Sequence, residues 1–63
     1  MMANARQNVQ TTFDELNHCK QHLQDALNTV EKDQNRQKIQ RSLDAVNNAI
    51  NVTQDTISTY TES

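Results

Sequence analysis

The 63-residue chain contains no glycine and no proline, one cysteine, no tryptophan, one tyrosine and one phenylalanine. Each scarcity excludes something. Without glycine there is no phosphate-cradling Gly-rich loop and no primed two-residue hairpin turn. A single cysteine cannot build a disulfide framework. No apolar run approaches the roughly 18 residues of a membrane-spanning helix. No apolar segment follows Met1-Met2-Ala3, so a secretion signal is not expected and a cytoplasmic location is. Two aromatic residues give little to stack bases on, which single-stranded RNA recognition usually needs.

What the chain has instead is amide: eight Asn and eight Gln. Its formal net charge of −2 comes from six Lys and Arg against eight Asp and Glu. That balance lacks the basic footprint of a non-specific nucleic-acid binder. Leu, Ile, Val and Phe total only 12 residues, so folding depends on how those twelve are arranged. A chain this short rarely draws more than about 3–5 kcal/mol from its own core. Size alone therefore points to self-association or a partner.

The arrangement is periodic. Large apolar residues fall at Val9, Phe13, Leu16, Leu23, Leu27 and Val30, a heptad seam whose one vacancy is filled by Lys20. Ala5, Thr12, Cys19 and Ala26 flank it with small side chains. A second seam runs through Ile39, Leu43, Val46, Ile50, Thr53, Ile57 and Tyr60, flanked by Ser42, Ala49 and Thr56. Both have helical spacing, and neither alternates as a strand would. Five β-branched residues from Val52 to Thr59 weaken the end of the second helix, so fraying is expected beyond Tyr60.

The seams are out of phase. Extending the first past Val30 puts Gln34, Gln37 and Arg41 in the core, whereas the second begins at Ile39. One continuous helix cannot keep both stripes on one side. The sequence therefore predicts a helix over about 4–31, a turn at Lys32–Asn35 and a helix over about 36–60, with Asp33 or Asn35 as N-cap of the second. Asn4 followed by Gln7 reads as a capping box for the first.

The halves also resemble each other. With an offset of 30, residues 6–29 and 36–59 share eight identities in 24 positions, among them Arg6/Arg36, Asp14/Asp44 and Asn17/Asn47. Shared helical patterning inflates such a score, but duplication of one helix accounts for it naturally.

Few residues invite chemistry. His18 and His22, at i and i+4, share a helix face and suit two ligands of a metal. The competing reading is two solvated imidazoles, and no third strong ligand is fixed by spacing; no metal or other cofactor is expected. Cys19 reads as a small seam residue. Lys20 reads either as a snorkelling side chain or as a polar residue that selects register and oligomeric state. Lys32, Arg36, Lys38 and Arg41 gather positive charge around the turn, where a polyanion would meet them; the competing reading is ordinary helix-end electrostatics. Asn51-Val52-Thr53 matches a glycosylation sequon, which an Asn-rich chain produces by chance. The carboxylates and serines form no acid–base pair or nucleophile–base set, so no catalytic residue is assigned and no enzyme is expected.

In length, hairpin layout and mid-chain turn the chain resembles the Rop-type plasmid proteins, dimers of helical hairpins that bind structured RNA. The resemblance is architectural, with no motif matched residue by residue. It implies a four-helix bundle and keeps structured RNA as an alternative ligand. The runs Gln7-Asn8-Val9-Gln10 and Leu23-Gln24-Asp25-Ala26-Leu27-Asn28 are similar to those of short helical proteins of unknown function from spore-forming Firmicutes, which implies a bacterial protein.

The expectation is a single all-α domain over 1–63, an antiparallel two-helix hairpin paired into a dimeric four-helix bundle. It would be a non-enzymatic interaction or regulatory module with Val9, Phe13, Leu16, Cys19, Leu23, Leu27, Leu43, Val46, Ile50 and Ile57 as interface. A homodimer is the expected assembly. An RNA-binding bundle, and an adaptor whose seam docks on a partner protein's helix, are the alternatives.

Overall fold

The computed structural model describes residues 4–60. Two helices, α1 (Ala5–Thr29) and α2 (Asp33–Thr59), fold back on each other as a hairpin. The expected fraying beyond Tyr60 falls on residues outside those described.

Helix α1 starts where the capping pattern places it. Asn4 is extended (φ −78°, ψ 171°). The Gln7 backbone N–H donates to Asn4 Oδ1 at 2.8 Å, and the Asn4 N–H donates to Gln7 Oε1 at 3.3 Å. Two otherwise orphaned helix-end donors are satisfied reciprocally.

The turn corrects the sequence reading. It occupies residues 30–32 rather than 32–35, α1 ends at Thr29 rather than about 31, and α2 begins at Asp33 rather than about 36. The N-cap is Lys32, with no side-chain hydrogen bond; Asp33 is already helical and Asn35 lies within the first turn. No described residue has a positive φ. Val30 (φ −71°, ψ 138°) and Lys32 (φ −94°, ψ 133°) turn the chain from extended conformations that need no glycine.

Arg36 explains how this works. Its Nη1 donates to the Leu27 carbonyl at 3.1 Å and its Nη2 to the Val30 carbonyl at 3.2 Å. A forked, permanently charged donor thus closes the Leu27 carbonyl, which a left-handed glycine cap would otherwise satisfy, together with the Val30 carbonyl of the turn. The Val30 N–H still bonds the Ala26 carbonyl at 2.9 Å. Asp33, in the first turn of α2, complements the positive end of that helix's dipole.

The offset of 30 reappears in three dimensions. Val9, Phe13, Leu16, Lys20, Leu23, Leu27 and Val30 are all at least half-buried, and so are their counterparts Ile39, Leu43, Val46, Ile50, Thr53, Ile57 and Tyr60. Both helices stop at equivalent residues, Thr29 and Thr59. The Thr29 hydroxyl donates to the Asp25 carbonyl at 3.2 Å, and Thr59 to Asp55 at 2.9 Å. Gln10 Nε2 donates to Asp14 Oδ1 at 3.3 Å, and Gln40 to Asp44 at 2.9 Å. The duplicated residues make duplicated local interactions, as two copies of one helix would.

The seam does not close into a core. Only Leu43 (6 % exposed) and Ile50 (8 %) are buried among the described residues. The molecule measures 50 × 23 × 12 Å. Twelve ångströms is the diameter of one helix with its side chains, so the hairpin is a slab one helix thick. Its radius of gyration is 14.8 Å, against about 11 Å for a compact chain of this length.

Candidate interaction surface

The seam residues are the obvious site, and the structure brings most of them together. Val9, Phe13, Leu16, Leu23, Leu27, Val46 and Ile57 lie half-buried along the contact between the helices, with Leu43 and Ile50 at its buried centre. Lys20 stands among them, half-buried, at the position that mirrors Ile50. Cys19 does not join the contact. It is exposed, because one residue along a helix turns the side chain by about 100° and carries it from the seam to the flank.

The two flanks of the slab differ in kind. The two-fold relation that superposes α1 on α2 runs along the slab normal, since it exchanges two antiparallel helices while keeping their seams in contact. Equivalent positions of the two helices therefore share one face. On one face stand Ala5, Thr12, Cys19 and Ala26 of α1, with Ser42, Ala49 and Thr56 of α2. Behind the latter lie Ala45, Val52 and Thr59. On the other stand the amide residues Gln10, Asn17 and Gln24, with Gln40, Asn47 and Gln54. Asp14 and Asp44 border this second face. Its polar groups are tied locally: Gln10 and Gln40 hold the two aspartates, and Asn17 Nδ2 donates to the Phe13 carbonyl at 3.0 Å.

The basic cluster at the turn is smaller than its sequence suggests. Arg36 is turned onto the end of α1. Lys32 lies in the turn, and Lys38 and Arg41 share the outer side of α2. His18 and His22 are both exposed. No group of three or more potential metal-binding side chains occurs among the described residues. No pocket occurs among the described residues, and no helix there is long and apolar enough to cross a membrane.

Two structural features escaped the sequence reading. Arg36 acts as a cap; the available signal was an arginine one turn inside α2, in phase with the seam. The second is a stripe on α2, Ser42-Ala45-Ala49-Val52-Thr56-Thr59, whose alternating steps of three and four define a helix face of uncharged, mostly small residues.

No known protein family, curated protein or solved structure matches this chain.

Proposed function

We propose that this protein is a non-enzymatic interaction module that works as a homodimer, two hairpins stacking into a four-helix bundle. The observation that carries the proposal is the unfinished core: twelve large apolar residues yield only two that are buried. The chain exposes 5142 Å² of accessible surface, about 1,000 Å² more than a compact monomer of its mass. A standard protein–protein interface takes about 800 Å² from each partner, so the excess matches what a dimer would cover. Bundles of this kind bury a seam that two helices leave open on either side.

Sedimentation equilibrium of the wild type and of Leu16→Asp tests the proposal. Leu16 is half-buried in the seam, and a carboxylate there is costly to bury. The wild type is expected at twice the 7.2 kDa chain mass, and the variant as a monomer of reduced helicity. A wild type that stays monomeric and weakly helical would instead assign the seam to another protein's helix.

A further inference from the structure

We infer that the second copy docks on the small-residue face of the slab, covering Cys19, Ala45, Ala49 and Val52, and leaves the amide face in solvent. The inference rests on the homodimer reading and specifies its surface. Three observations carry it.

The first is charge. Among the described residues the amide face carries Asp14 and Asp44 and no Lys or Arg. Stacked on its own copy it would oppose carboxylates with carboxylates, an arrangement that like-charge repulsion disfavours. The small-residue face is mixed: Glu15 and His22 lie at its α1 edge, and Lys38 at the turn end of its α2 edge.

The second is hydrogen bonding. Covering a polar group is costly unless it is already paired. The hydroxyls of the small-residue face are paired within their own helices. Thr12 donates to the Asn8 carbonyl at 2.9 Å, Ser42 to Lys38 at 3.3 Å, and Thr56 to Val52 at 3.1 Å. Thr29 and Thr59 do the same at the helix ends. With their donors engaged, these hydroxyls have less to lose when water is removed from the face. The side-chain amides opposite each bring two donors and an acceptor, more than the neighbouring bonds satisfy.

The third is shape and apolarity. Val52 is 59 % exposed, the large apolar side chain left most open among the described residues, and it lies on this face. Around it, Ala45, Ala49, Ser42 and Thr56 are short enough for a second helix layer to approach and reach the half-buried seam behind them. The occupant such a face fits is another slab with the same pattern, and the surplus of about 1,000 Å² is of the size one such layer removes.

Two charge-matched double variants test this. Ala45→Glu/Val52→Glu alters the small-residue face; Asn51→Glu/Gln54→Glu alters the amide face by the same net charge. All four positions are exposed, and helicity by circular dichroism checks that each hairpin remains folded. In sedimentation equilibrium the first variant is expected to dimerise at least about 100-fold more weakly than wild type, and the second within about threefold of it. Dimers of equal strength in both variants, equal weakening of both, or loss confined to the second would overturn the assignment of the face. A monomeric wild type would instead overturn the dimer itself, so the two failures are separable.

Discussion

Leu43→Ala is the most informative single perturbation. Leu43 is the most buried residue, 6 % exposed, and shares that status only with Ile50 among the described residues. Truncating a buried leucine to alanine costs about 2–5 kcal/mol, the lost transfer free energy plus the cavity left behind. A domain of this length holds about 3–9 kcal/mol in total, at typical stability per residue. One substitution therefore removes a large part of what keeps the hairpin closed. At about 4–8 °C per kcal/mol for a small domain, the melting temperature is expected to fall by about 10–40 °C. Thermal unfolding followed by circular dichroism, at one fixed concentration for all samples, reads this directly. Gln54→Ala, on the exposed amide face, is the control and is expected within about 0.5 kcal/mol of wild type. A Leu43→Ala protein melting within about 4 °C of wild type would refute the reasoning, because the helices would then be held together by something other than this seam.

Three further outcomes follow from the geometry. Asn4→Ala removes the capping box and is expected to destabilise the protein by about 1 kcal/mol, with faster amide exchange in the first turn of α1. Arg36→Met keeps the apolar stem but loses both bonds to the Leu27 and Val30 carbonyls; a loss of about 1 kcal/mol is expected, read by urea denaturation, with faster exchange confined to the turn end. Lys20→Ile restores the residue type found at the equivalent position 50. It is expected to raise stability by about 1 kcal/mol while broadening the distribution of oligomers seen by native mass spectrometry, since a polar seam residue helps select one pairing.

The fold was legible because its signal is periodic. Apolar residues at steps of three and four, repeated in two stretches that are out of phase, require two helices and a break between them. The cap at Asn4 was legible for a similar reason, since Asn and Gln at that spacing answer a defined pair of orphan donors. The turn was misplaced because the sequence offers no glycine, and Asp33 and Asn35 look like cap residues. Arg36 serves the end of α1 from across the turn, bonding the Leu27 and Val30 carbonyls, and its only trace in the sequence is its seam phase one turn inside α2. Cys19 was legible as a flanking residue of the seam, and the hairpin leaves it exposed. The stripe from Ser42 to Thr59 was present in the sequence. It gained meaning only when the slab was seen to be one helix thick, with one face of bonded hydroxyls and one of side-chain amides.

Small-angle X-ray scattering over a concentration series tests the central claim most directly, because it gives mass and dimension together. Two slabs of 14.8 Å radius of gyration, stacked at an interaxial spacing of about 10 Å, should give twice the chain mass and a radius near 16 Å. A single continuous helix over the same residues would reach about 85 Å and a radius near 25 Å. The dimer mass with the short radius is the expected result; the long radius would contradict the hairpin, and a single-chain mass at every concentration would contradict the pairing.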